Sequence, residues 1–285
     1  MSALAQLGVG YLQTGQLEQA APILEESLES RRRALGDRDP GTLTSMHNLS
    51  GLYGQLGQHE RALELAREAY AGRLDVLGPG DPRVYGTLNI ITWLLNSLER
   101  FDESKDLLDA AIHNANSRFG PSHLQTIMLQ RSLANIYDQS DEFARSELIY
   151  REILPHLRQT LGDENINTFS TMRTLAVAIS QQGRNSEALP IFRESYQLAQ
   201  NTLPSNSLNL TRFMDSYATS LSRAGQFREA ETIFTQALVI AEQAGPAGEE
   251  AESILSESMI ELYTNWSNTD PSPAVKAKLQ TWTIP

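Results

Sequence analysis

Cysteine is absent from the 285 residues, which excludes disulfides, thiolate zinc sites and a cysteine nucleophile. Long apolar runs are absent too. The longest conspicuous one, Ile90-Ile91-Thr92-Trp93-Leu94-Leu95, falls far short of the roughly 18–20 residues of a spanning helix. Positive charge is scarce: 23 Lys and Arg stand against 35 Asp and Glu, a net charge of −12, whereas a nucleic-acid surface needs clustered cations. The opening MSALAQLGVGYLQTG lacks the basic region and cleavage pattern of a signal peptide. Together these features set the expectation of a cytoplasmic protein that engages neither membrane nor nucleic acid. Catalytic signatures are missing as well. The chain contains no GxxxxGK[ST], GxGxxG, GxSxG or HExxH. The five histidines (His47, His59, His113, His123, His156) have no ligand spacing and read mostly as solvated surface. No pair of carboxylates stands out in an apolar setting. The expectation is a protein without enzymatic activity, cofactor or metal.

What the sequence does contain is a repeat. Every forty-second residue from Gly15 gives Gly15, Gly57, Glu99, Asp141, Gly183 and Gly225. Five residues later the column is small: Ala20, Ala62, Ser104, Ser146, Ala188, Ala230. Seven residues earlier it is small again, from Gly8 and Ser50 to Ala176 and Ala218, and four earlier it reads Tyr11, Tyr53, Leu95, Tyr137, Ile179, Leu221. Apolar residues three and four apart make one helix face, and small residues let a second helix come close. Each unit is therefore a helical hairpin. Six units begin at residues 1, 43, 85, 127, 169 and 211 and fill 1–246. Residues 247–285 read as capping helices, with an acidic run from Glu249 to Glu261 on the outer face. Glu99 and Asp141 replace turn glycines, so their turns are expected to avoid left-handed backbone. Pro22 and Pro190 are expected in the first turns of their helices, whereas Pro155 should bend or shorten its own. Gln130 interrupts a column of Leu and Met, which makes the middle of the array its least regular part. Gly51-x-x-Gly54-x-x-Gly57 reads as helix packing, and Arg31-Arg32-Arg33 as a solvated stretch of helix.

The columns L-G/A/S-x-x-Y-x-x-x-G and A-x-x-x-F/L-x-x-A/S-L resemble the tetratricopeptide repeat. The Leu35-Gly36 to Asp39-Pro40 and Leu77-Gly78 to Asp81-Pro82 endings are similar to its 42-residue kinesin-light-chain type, and similar arrays accompany bacterial Ser/Thr kinases. The resemblance implies an all-α, right-handed superhelical solenoid of thirteen or fourteen antiparallel helices. Connectors are expected near residues 36–41, 78–83, 120–124, 162–166 and 204–208. The chain begins inside a first helix, which suggests a fragment of a longer protein or a covered N-terminal face.

The resemblance also implies that first helices line a concave groove, with the second, fifth, ninth, twelfth and thirteenth positions of each unit facing a ligand. Those columns give His47, Asn89, Trp93, Asn96, Arg131, Asn135, Gln139, Arg173 and Gln181 as candidate binding residues, and the fifth and thirteenth columns continue to Asp215 and Arg223. Arg131 and Asn135, four apart, with Arg173 one unit on, are similar to the carboxylate clamp of chaperone-binding repeats, alongside a plain reading as solvated surface. Trp93 reads as an aromatic anchor or as packing against the next unit. The resulting expectation is a protein- or peptide-binding scaffold in a signalling context, taking an acidic segment or a C-terminus. The alternative is a self-assembly module joining copies through terminal repeats.

Overall fold

The structure, a computed structural model, describes residues 3–283 and is an all-α helical repeat solenoid, with no strand among the described residues. It divides into two units, residues 1–140 and 141–285. The first holds α1 (Ala3–Gln13), α2 (Leu17–Leu35), α3 (Pro40–Gln55), α4 (His59–Leu77), α5 (Pro82–Ser97), α6 (Phe101–Phe119) and α7 (Leu124–Gln139). The second holds α8 (Phe143–Leu161), α9 (Ile166–Gln181), α10 (Asn185–Thr202), α11 (Leu208–Arg223), α12 (Phe227–Gln243), a 3₁₀ turn (Gly245–Ala247), α13 (Glu249–Thr269) and α14 (Pro273–Thr283).

The hairpins α1–α2, α3–α4, α5–α6, α9–α10 and α11–α12 close in the same way. The backbone N–H of Gln58 donates to the Tyr53 carbonyl at 2.8 Å and that of Gly57 to Gly54 at 3.0 Å, a Schellman ending that forces the residue between into left-handed φ. Arg100 N–H to Leu95 O (2.8 Å) and Gln226 N–H to Leu221 O (2.9 Å) repeat it. Gly57 accordingly has φ 74°. So do the residues that were expected to escape: Glu99 sits at φ 57° and Asp141 at φ 60°. The hydrogen-bonded ending dictates the conformation, and the side chain tolerates it at a cost of about 1–2 kcal/mol.

The connectors that lead into the next hairpin use glycine more strictly. Gly78 caps α4 with φ 76° and ψ 165°, and Gly36, Gly120 and Gly162 adopt the same conformation, with φ 84–87° and ψ 166–168°. That region is closed to residues with a Cβ, which explains why glycine recurs there while the hairpin turn admits Glu and Asp. Three residues after this column a polar side chain caps each of the incoming helices α3, α5, α7, α9 and α11. Asp39, Asp81, His123, Asn165 and Ser207 each accept a backbone N–H two residues on, at 2.8–3.2 Å. Pro40 and Pro82 follow as first helical residues, so these helices start slightly earlier than the expected connectors allow.

Packing follows the small columns. Ala20, Ala62 and Ser104 in the first unit, and Ser146, Ala188 and Ala230 in the second, are fully buried where paired helices meet. In the third hairpin both contact residues are larger, Thr92 and Ser104, and α5 and α6 pack less extensively than α3 and α4. Gln130 is half-buried where Met46 and Leu88 are fully so. Pro155 lies inside α8 without shortening it: the helix runs 19 residues to Leu161, the length of α2, α4 and α6. Pro22 and Pro190 are each the sixth residue of their helices, in the second turn rather than the first. At the C-terminal end Met259 and Tyr263 of α13 occupy the repeat's buried columns, and α14 packs on α13.

Ion pairs tie successive second helices together. Arg32–Glu68 and Arg67–Glu103 (both 2.6 Å) link α2 to α4 and α4 to α6, and Arg158–Glu194 (2.7 Å) and Arg151–Glu187 link α8 to α10. Glu25–Arg61, at 3.2 Å, uses the columns of Arg67–Glu103 with the charges exchanged. Each such exposed pair contributes about 0–1 kcal/mol, so together they favour register more than stability.

The two glycine columns make opposite predictions. Glu99→Gly is expected to raise stability by about 0.5–1 kcal/mol, after allowing for the freer unfolded chain. Gly78→Ala is expected to lower it by about 1–3 kcal/mol, although open space surrounds that Cβ. Urea unfolding of both variants, followed by circular dichroism, checks this; equal effects would contradict it.

Candidate binding grooves

In the first unit the candidate residues lie on α3, α5 and α7. His47 is half-buried, and its Nδ1 lies 3.4 Å from the Thr87 hydroxyl. That hydroxyl also accepts, at 2.8 Å, from the guanidinium of Arg73, a buried α4 side chain that donates to the Arg83 carbonyl at 2.9 Å as well. Burial, then the charge of Arg73, pushes the imidazole down to about 4, so His47 is neutral at physiological pH and offers no cation to a ligand. Trp93 is 43% exposed, yet its other side fills the space left by Gly54: a Cβ there would come within 2.2 Å of the ring. The edge of His59 meets the same ring at 6.0 Å between centroids. Trp93 thus both packs and presents a surface. Asn89, Asn135 and Gln139 are exposed, Arg131 is half-buried, and the Oδ1 of Asn96 is enclosed without a hydrogen-bond partner.

Two basic or histidine features read as solvated surface have structural partners. Arg31 donates to the Gly41 carbonyl at 2.7 Å and Arg32 to Glu68. His123 caps α7.

The second unit assembles a more enclosed site on α9, α11 and α13. Arg173 donates to the Ser216 hydroxyl at 3.3 Å and stands 5.8 Å over the Phe213 ring. Asp215 accepts a hydrogen bond from the Ser258 hydroxyl at 2.6 Å, and burial pushes its carboxyl up from the ordinary range. Arg223 donates to the Ser180 hydroxyl at 3.1 Å and lies 3.6 Å from Glu261. Val177, Ser180, Gln181, Asp215, Thr219 and Arg223 surround a cavity of 150 Å³. Liquid water occupies about 30 Å³ per molecule and small-molecule sites span about 300–1,000 Å³, so this notch suits one side chain or chain end. Asp215 and Arg223 were visible in the sequence as members of groove columns. Their convergence was not, because Ser258 and Glu261 come from a helix outside the six regular units.

The His47 arrangement carries a pH signature. Its folded value lies below the ordinary 6.5, so the unfolded chain takes up the proton first, and stability present at pH 7 drains as pH falls from about 6.5 towards 4. Between pH 7 and 5 the wild type should lose about 1 kcal/mol more than His47→Gln, a figure reduced for partial exposure. Denaturant titrations of both proteins at the two pH values measure it; identical losses would contradict the assignment.

Similar proteins share this architecture. A kinesin-light-chain repeat structure from Podospora anserina is 20% identical, covers 70% of this chain and 94% of its own, and superposes with a TM-score of 0.62. BtubC from P. vanneervenii is 21% identical over 80% of this chain and 92% of its own, with a TM-score of 0.67. A signal-transduction ATPase with a tetratricopeptide repeat sensor, from Pyrococcus horikoshii, is 13% identical and reaches 0.72 over 98% of this chain and 41% of its own. At these identities the likeness concerns the fold. No curated protein matches the sequence. The family profile of the tetratricopeptide repeat matches residues 1–75 and 167–243, more than half the chain, and on that match this chain belongs to the tetratricopeptide-repeat family.

Proposed function

We propose that this chain is a non-catalytic scaffold that binds a protein or peptide segment along its first helices, as the interaction part of a signalling protein. The fold supports protein interaction in general. The observation that supports this particular reading is the side-chain-sized notch of the second unit, bordered by Arg223 and adjoining Arg173. It is too small for a metabolite, and no group of three or more potential metal ligands forms among the described residues. The partner contributes a carboxylate, from an acidic side chain or a C-terminus, to the guanidinium of Arg173 or Arg223. Each can bind it through a planar fork of donors. The hydroxyls of Ser216 and Ser180 hold these forks in place beforehand, so less freedom is lost on binding. Asp215 supplies selectivity: its carboxylate repels an acid placed too deep and accepts a backbone N–H instead. In the first unit Trp93 offers its exposed face to an apolar side chain, with Asn89 and Asn135 available to a peptide backbone. Among the described residues no helix is long and apolar enough to cross a membrane.

Partners are captured with wild-type protein, with Arg173→Glu/Arg223→Glu and with Arg131→Glu, after circular dichroism confirms folding. The double reversal is expected to weaken the principal partner at least about tenfold, the loss typical of breaking a desolvated charge pair. Unchanged affinity for every partner in both variants would show that recognition lies elsewhere.

A further inference from the structure

The gaps between successive second helices are not alike. In the second unit Arg158 and Glu194 clasp α8 to α10 at 2.7 Å, and in the first unit Arg32 and Glu68 hold the same two columns at 2.6 Å. One period beyond Arg158–Glu194, between α10 and α12, those columns carry Gln200 and Gln236. There the gap opens into a cavity of 380 Å³, with Leu210 and Met214 of α11 and Val239 and Ile240 of α12 in its lining. None of its nine lining residues carries a charge, whereas the corresponding space between α2 and α4 is bordered by Glu25, Arg32, Arg61 and Glu68.

The backbone departs from the repeat at the same place. α10 ends at Thr202, one residue short of the usual 19, and Leu203 caps it in extended conformation (φ −87°, ψ 150°). Pro204 stands in the column of Gly36, Gly78, Gly120 and Gly162, and Ser205 of the altered connector lines the cavity. A further cavity of 370 Å³ continues the trough, sharing Tyr196, Gln200 and Gln236. It runs to a network in which Arg193 donates to the Tyr217 hydroxyl at 3.0 Å and Tyr217 donates to Glu229 at 3.2 Å.

We infer that the trough between α10 and α12 is a second docking surface, separate from the first-helix groove. Its occupant is a partner's peptide segment that inserts one bulky aliphatic or aromatic side chain with no charged neighbours. The lining selects that chemistry. A charged side chain entering the apolar end would shed its hydration without meeting an opposite charge. An aliphatic one meets no such cost, and it covers Val239, now 44% exposed. Gln200 and Gln236 each offer an N–H donor and a carbonyl acceptor, the pair of functions a peptide backbone presents in turn. The continuous trough, two cavities long, fits a segment of chain better than a compact metabolite.

Random-sequence peptides displayed on phage and selected on the full chain supply the probe, and fluorescence anisotropy of the synthetic consensus peptide reads the affinity. Gln200→Arg/Gln236→Glu rebuilds the neighbouring gap's clasp, while Val239→Glu puts a charge on an exposed rim where folding is not at stake. Peptides with an uncharged apolar core are expected, and both variants should weaken them at least about tenfold while Arg173→Glu/Arg223→Glu leaves them unchanged. The inference is overturned if no selected peptide is weakened by either trough variant, or if those that are weakened carry charge at their core or respond equally to the arginine reversal.

Discussion

The constraint on which the structure depends is the six-residue hydrogen bond that ends the first helices α1, α3, α5, α9 and α11, seen between Gln58 and Tyr53 and again between Arg100 and Leu95. It reverses the chain within three residues and compels one of them into left-handed φ. With the reversal fixed, the small residues five positions later face the preceding helix at close range, and the larger columns have nowhere to go but the interior. Register then propagates. The next connector must also reverse direction, and its glycine together with a side-chain cap three residues on restarts the pattern. Because each hairpin packs chiefly on its neighbours, departures stay local, as at α5–α6, where Thr92 and Ser104 widen one contact while the 42-residue period continues.

Most of this was legible in the sequence because column spacing is what the hairpin physically requires. The helices, the seventh first helix with Met259 and Tyr263, and the terminal short helix all followed from it. Glycine was over-read at the turns: Glu99 and Asp141 both adopt left-handed φ, and at Glu99 the hydrogen-bond pattern, not the residue, sets the conformation. Pro155 does not end its helix early, since α8 keeps its full length. The ion-pair clasps went unseen for a different reason. They join residues 36 apart, not 42, and Glu25–Arg61 exchanges the charges of Arg67–Glu103, so neither column looks consistent alone. Pairing one column with the next unit's partner column would have exposed them.

The binding surfaces were legible only in part. The fifth and thirteenth columns named Arg173, Asp215 and Arg223, but their environment depends on hydroxyls from residues such as Ser216, Ser180 and Ser258 that no column singled out. His47 shows the converse. Its column placed it in the groove, and tertiary burial beside Arg73 makes it a neutral packing residue. The trough between α10 and α12 is a third case, where the signal was the loss of a charged pair whose existence only the structure revealed. Both candidate surfaces of the second unit share one physical theme: a repeated ladder of helices becomes a recognition surface where the local residues leave polar or apolar groups without the neighbour that the adjoining gap supplies.

The central claim is that recognition in the second unit occurs on the face carrying Arg173, Asp215 and Arg223. Methyl-resolved NMR of the full chain, titrated with a captured partner, tests it most directly, because Val177 borders that notch while Val239 and Ile240 border the trough. The account predicts that a partner whose affinity depends on the arginines shifts the Val177 methyls and leaves Val239 and Ile240 in place. Saturable binding by such a partner with Val177 undisturbed would contradict it.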